Sequence, residues 1–218
     1  MKRLVIFDYD GTIADSRASI AHCANLALES VGRPPVPATA VQALIGLPLR
    51  DIFARLIRSD ADDDLLDAVV AAYRARYADV DRQHSHLYEQ MPELLAELKG
   101  VGVRLAIATG KSTEGAHRGI DRHGLDGGLF DVVLGSDAVP RPKPHPDMVL
   151  HILDTLAVEP SDAVVVGDTT FDVEMSVSAA VDACGVTWGS HDDERLRRAG
   201  ARWIVHTRAA LRALLLET

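Results

Sequence analysis

Cysteine is almost missing: the 218 residues contain only Cys23 and Cys184. Two thiols with no companion at metal-ligand spacing build neither a disulfide framework nor a zinc site, and they read as small buried hydrophobes. Lysine is scarce as well, with Lys2, Lys99, Lys111 and Lys143 set against 19 arginines. Where a lysine stands is therefore informative, and Lys111 and Lys143 both fall in loops. No apolar run approaches the roughly 18 residues that a membrane span needs. The basic start Met1-Lys2-Arg3 leads into an apolar run that breaks at Asp8, too early for a secretory signal, so cytoplasmic residence is expected. Surplus positive charge is also lacking. A net charge of -9 argues against sequence-independent nucleic-acid binding, which draws its energy from Lys and Arg neutralising phosphates. There is no internal repeat and no low-complexity tract. The expectation is a soluble chain with one substantial core, or a core plus a smaller domain, acting on a small molecule as a monomer or weak homodimer.

What is present divides into two grammars. Leu4 to Phe7 reads as a buried strand. From Ser16 the spacing turns helical, with Ile20, Cys23, Ala27 and Val31 recurring until Gly32 stops the helix. Prolines at Arg33 to Pro37 forbid a helix, and Thr39 with Gln42 has the form of a capping box that starts the next one. Gly46 and Pro48 interrupt it, a helix resumes to about Ile57, and the acidic lead Asp60 to Asp64 opens a third helix from Leu65 to about Val80. This block, residues 16–88, offers no strand candidate. After Pro92, helices alternate with short apolar strands at Val103 to Ala108, Asp131 to Gly135, Ala163 to Gly167, Ala183 to Trp188 and Arg202 to Val205. That alternation predicts an α/β fold, a Rossmann-like parallel sheet with helices on both faces. Residues 1–15 and 89–218 then form the core, and residues 16–88 form an inserted helical domain.

In such a sheet the parallel strands end along one edge, and ligands bind in the crevice beyond it. The first strand ends in DYDGT (Asp8 to Thr12), although aspartate is a poor residue for extending a strand. The second ends in TGKS (Thr109 to Ser112), the third is followed by Lys143 between Pro142 and Pro144, and the fourth ends in GDTTFD (Gly167 to Asp172). Singly, these could be a hairpin turn, helix caps, a solvated lysine and a surface acid. Together they put carboxylates, a hydroxyl, backbone donors and a lysine on one edge, an inventory suited to a divalent metal and a phosphoryl group.

DYDGT, the hydroxyl in IATGKS, Lys143 in RPKPHPD and GDTTFD resemble, in order, the four motifs of the haloacid dehalogenase-like hydrolase superfamily. The inserted helices resemble its helical-cap branch, which includes phosphoglycolate phosphatases. The resemblance implies a magnesium-dependent phosphatase for a small phosphorylated metabolite, working through an aspartyl-phosphate. Asp8 would be the nucleophile and Asp10 the general acid. Asp8, Asp168 and the backbone carbonyl of Asp10 would bind Mg2+, with Asp172 behind them holding waters or orienting Lys143. Thr109 and Lys143 would face the phosphoryl group, with Gly11, Thr12 and Gly110 in its binding loops. Gly46 to Asp51 resembles the specificity loop of helical caps, where Arg50 could meet a substrate carboxylate or lie on a solvated face.

The same comparison narrows the chemistry. Dehalogenases lack an acid at the position of Asp10, because a halide leaves unprotonated. Phosphonoacetaldehyde hydrolases need a cap lysine, and residues 16–88 contain none. A sugar phosphomutase of the beta-phosphoglucomutase type remains an alternative. So does, from another class, a phospho-accepting module like bacterial receivers, although those place their acceptor aspartate on a later strand and lack the insertion. Two departures bear on substrate: TGK stands where many phosphoglycolate phosphatases have TNK, and Ser176-Val177 stands where a glycine is usual. His84 and His86 read as hinge residues, His145 as structural, and Asp15 as a helix-start residue. Ala14 to Ser16 and His84 to Gln90 are the expected hinges.

Overall fold

In the computed structural model, residues 2–58, 62–125 and 128–217 are described. Strand β1 (Leu4–Phe7) is fully buried because it lies at the middle of the sheet and has no face to show to water. Val5 and Phe7 point into one apolar cluster, and Leu4 and Ile6 into the cluster on the other side. After the short strand β2 (Ala14–Asp15) come four helices, α1 (Arg17–Ser30), α2 (Ala38–Gln42), α3 (Leu49–Ile57) and α4 (Asp63–His84). The short strand β3 (His86–Leu87) returns the chain to α5 (Met91–Gly100), β4 (Arg104–Ala108), α6 (Thr113–Arg122) and β5 (Val132–Leu134). The rest runs α7 (Asp147–Leu156), β6 (Ala163–Gly167), α8 (Thr170–Ser178), β7 (Asp182–Val186), α9 (Asp193–Ala199), β8 (Trp203–Val205) and α10 (Arg208–Glu217).

The sheet order is β5-β4-β1-β6-β7-β8, and all its pairings are parallel. The protein is an α/β fold of the Rossmann-like kind. Helix α5 and helix α10 cover the Val5 and Phe7 side, contributing Leu95 and Leu211; α7 and α8 cover the other, contributing Ile152 and Met175. Both cysteines are free and buried. The four helices of the insertion have an apolar cluster of their own, built on Ile20, Cys23, Phe53, Val69 and Tyr73.

Several boundaries differ from the sequence reading for identifiable reasons. No capping box starts α2: Pro37 (φ -55, ψ 138) is the cap, no side chain bonds there, and Thr39 is already inside the helix. The fixed proline φ lets the helix begin at the next residue. The capping box lies elsewhere, between Thr169 and Asp172 at the start of α8. In the acidic lead, the Asp62 carboxylate accepts from Leu65 N at 2.8 Å, so α4 starts earlier than read, while Asp60 lies outside the described residues. Helix α4 also runs one turn past Val80, to His84. Helix α9 was not anticipated, because seven residues are too few for a periodic pattern. Its punctuation was nonetheless complete, with Asp192 capping, acids first, arginines last and Gly200 in the left-handed conformation.

Residues 16–88 hold one strand after all, β3, which pairs with β2 just before them. Ala14 pairs with Leu87 and Asp15 with His86, an antiparallel ribbon formed by the two segments that enter and leave the helices. Two residues per strand are too few for alternation to register. Other bonds tie insertion to core: Arg17 Nη1 donates to Gly189 O at 2.6 Å, and the buried His191 places Nε2 at 3.2 Å from Ala43 O. Asp81, 5% exposed in the last turns of α4, takes Arg122 of α6 at 2.6 Å. Arg122 also donates to the Asp81 carbonyl at 2.8 Å. Removing one partner of a buried ion pair strands the other charge, so Arg122→Ala is expected to lower stability by about 3 kcal/mol in urea unfolding.

Candidate active site

The carboxyl edge of the sheet gathers its charge within a few residues of β1. Asp8 continues the strand, its N–H donating to Val166 O at 2.9 Å, and it is 1% exposed. Gly11 then turns the chain with φ +90. A Cβ built there would come within 2.3 Å of Asp168 Oδ2, so glycine is required for both conformation and room. Asp168, at the end of β6, accepts from the Thr12 hydroxyl at 2.9 Å and from Ser190 N at 2.7 Å. The Asp172 carboxylate accepts from Thr169 N at 3.0 Å and from the Thr169 hydroxyl at 2.7 Å.

Lys143, 2% exposed, reaches inward from its proline-flanked loop and places Nζ 2.6 Å from Asp8 Oδ1 and 2.5 Å from Asp172 Oδ1. Burial works against its positive charge, yet Asp172 and Asp8 outweigh that and raise its pKa above the usual lysine range. Burial also raises the Asp8 pKa well above the carboxylate range; Lys143 pulls it down, and Asp172, Asp168 and Asp10 push it further up. Asp168 is pushed up to about 7, by burial first and by Asp172 next.

Asp8, Asp168 and Asp172 bring ligand oxygens within 4.8 Å of one another, and Asp8 Oδ2 is buried with no hydrogen-bond partner. Three carboxylates beside one ammonium leave an acidic excess, and the buried Asp8 oxygen without a hydrogen bond is a free donor atom within it. A hard divalent cation with oxygen ligands fits this donor set.

Thr109 is fully buried at the end of β4, its hydroxyl accepting from Lys111 N at 3.3 Å. Ser112 caps α6. Gly110 meets the insertion directly: a Cβ there would lie 2.5 Å from Leu47 O and 2.6 Å from Gly46 O. The glycine in TGK is therefore the residue that lets the Gly46-Leu47 backbone close onto this loop. Arg50 stands away from the acidic cluster, its guanidinium bonded to Asp63 and Asp67 of α4. His145 and His86 are exposed, and Asp15 is paired with Arg17 at 2.8 Å.

Two groups escaped the sequence reading. Lys111 Nζ lies 2.9 Å from Asp10 Oδ2 and 2.9 Å from the Tyr77 hydroxyl, joining the core acid to helix α4, while the Ser16 hydroxyl donates to Asp10 Oδ1 at 2.5 Å. The scarcity of lysine, and its place just after Thr109-Gly110, was the available signal. The loop after β7 was missed as well. Gly189 and Ser190 wrap Asp168, Trp188 Nε1 donates to Thr12 O at 3.2 Å, and the rule that strand ends share one edge extends to this loop.

A family model described as haloacid dehalogenase-like hydrolase matches residues 5–186. The chain belongs to that family. Among its hydrolase relatives are the "Probable phosphatase IndB" of Dickeya dadantii, 37% identical over 209 residues (95% of this chain, 90% of the relative). The phosphoglycolate phosphatase of Neisseria meningitidis is 31% identical over 208 residues, covering 92% of this chain and 88% of that one. A hydrolase from Pseudomonas syringae has the same fold, with a TM-score of 0.89 at 23% identity over 99% of both chains. Family membership sets aside the receiver-like alternative.

Two outcomes are expected. Gly110→Asn, at a position whose φ is not left-handed, leaves the core folded but holds the insertion off, read as a larger radius of gyration in solution scattering. In metal-free protein, Asp168 holds its proton more tightly folded, at about 7, than unfolded, near ~3.9. Its contribution to stability is full below the unfolded value and is lost as pH rises through 7. Melting temperature should therefore fall between pH 4 and 8, less steeply in Asp168→Asn, and Mg2+ should restore it at pH 8 in the wild type only.

Proposed function

We propose that the protein is a magnesium-dependent phosphatase that hydrolyses a small organic phosphate monoester through an aspartyl-phosphate on Asp8. The observation that carries the reading is the buried, unpartnered Asp8 Oδ2 beside a carboxylate cluster held by one lysine. Asp8, Asp168 and the Asp10 carbonyl would hold magnesium, with Asp172 within reach of the same ion; when bound, it neutralises phosphoryl charge. That neutralisation is needed because a carboxylate and a phosphoryl charge repel by about 4 kcal/mol at 4 Å with an effective dielectric of 20.

In this reading Lys143 orients the Asp8 carboxylate through Oδ1 for attack on phosphorus in line with the departing alkoxide. Thr109, with the N–H groups of the Gly110 and Gly11-Thr12 loops, binds the phosphoryl oxygens as they gain charge. Asp10, held from two sides by Ser16 and Lys111, gives a proton to the alkoxide. It then takes one from the water that attacks the acyl phosphate. Asp172 keeps Lys143 in place through the second half of the cycle. The helices between β2 and β3 act as the cap, and the ribbon between Ala14–Asp15 and His86–Leu87 is its hinge. A small phosphorylated metabolite of the cytoplasm, met by a monomer or weak homodimer, suits this site.

Asp8→Asn should lower kcat by at least about 10⁴-fold and abolish the covalent phosphoenzyme seen by mass spectrometry after acid quench. Asp10→Asn should lose about 10²- to 10⁴-fold. Chelation should stop turnover and Mg2+ should restart it. Normal turnover by Asp8→Asn would defeat the assignment. With beta-glucose 1-phosphate, formation of glucose 6-phosphate instead of free phosphate would identify a mutase.

A further inference from the structure

The cleft between the insertion and the core begins at Asp10, Gly110 and Lys111 and continues along α3 and α4, half open to solvent, with a volume of about 1100 Å³. A two-carbon acid such as glycolate has five heavy atoms. Scaled from the roughly 30 Å³ that one water occupies, it fills on the order of 150 Å³. Pockets of several hundred cubic ångströms and more take ring-sized ligands.

The charge on the walls points the same way. Six acidic and six basic side chains line the cavity, so it presents no positive excess to a second anionic group. Five of its six cations are also engaged. Arg50 is bonded to Asp63 and Asp67, Lys111 to Asp10, and Arg122 to Asp81. Arg82 is paired with Asp79 and Arg118 with Glu114, while Arg74 is exposed on α4. At five of the six lining cations a substrate carboxylate would have to displace a partner. Asp81, paired with Arg122, also lines the cavity and keeps acidic charge on its wall. Ile45, Leu47 and Ile52 add apolar wall for C–H faces.

We infer that the alcohol half of the substrate is an uncharged, hydroxyl-bearing ring, a sugar or a nucleoside, rather than a two-carbon acid. The inference rests on the phosphatase reading and assigns its substrate class. Hydroxyls of the ring meet the wall acids while its apolar faces lie on Ile45 and Leu47. Ala78, exposed on α4 and lining the cavity, is where added bulk fills the space without entering the core.

The test compares kcat/KM with Mg2+ for phosphoglycolate, ribose 5-phosphate and a nucleoside 5′-monophosphate, on the wild type and Ala78→Trp, with melting curves as the folding control. At least one ring ester is expected to exceed phosphoglycolate by about 10-fold or more, and the two ring arms separate sugar from nucleoside. Ala78→Trp should reduce that ratio by about 10-fold. A wild-type ratio below 10 overturns the inference while leaving the phosphatase reading intact. A ratio that Ala78→Trp does not change overturns the assignment of this cavity. Release of phosphate from none of the three defeats the phosphatase reading and the inference with it.

Discussion

Lys143 between Asp8 and Asp172 is the contact on which the rest of the site depends. Three buried carboxylates within a few ångströms would repel one another strongly at low dielectric. A single ammonium with no exposed side-chain surface holds two of them at fixed positions. The capping box on Asp172 and the two donors on Asp168 give each oxygen of the other two acids at least one partner. Among the carboxylates of this cluster, Asp8 Oδ2 alone remains without a partner. The arrangement thus concentrates the unmet electrostatic need of the whole edge on one atom.

The sheet supplies the rigidity this requires. Because β1 is hydrogen-bonded on both sides and packed on both faces, Asp8 leaves the core from a strand held on every side. The insertion is joined differently, through a two-residue ribbon and a few polar bonds such as Arg17 to Gly189 and Lys111 to Tyr77. Polar contacts of this kind exchange readily with water, whereas the buried strand does not. The tightly buried contacts and the polar, more readily exchanged ones therefore lie in separate parts of one chain.

Much of this was legible in the residues. Strands of β-branched and apolar residues alternating with helices determine a parallel sheet, and a parallel sheet determines which loops share an edge. Position along the chain thus carried Asp8, Lys143, Asp168 and Asp172 to one place. Cap details were less legible, since Pro37 and Thr39 compete to begin α2 and only packing decides between them. Arg50 shows another limit: sequence marks a cation near the substrate loop, but Asp63 and Asp67 lie a helix away and claim it only in three dimensions. Lys111 and the Gly189-Ser190 loop were missed because their partners are remote in sequence.

The Ala14–Asp15 and His86–Leu87 ribbon has a consequence for how such a protein can change over time. It brings the entry and exit of some seventy residues side by side, so the distance a replacement must span is that of an ordinary hairpin. The loop-closure cost of substituting a shorter or longer segment there varies only slowly with its length. The helical unit is thus a detachable module on a fixed chemical base, free to be exchanged or resized while sheet order and strand register stay untouched.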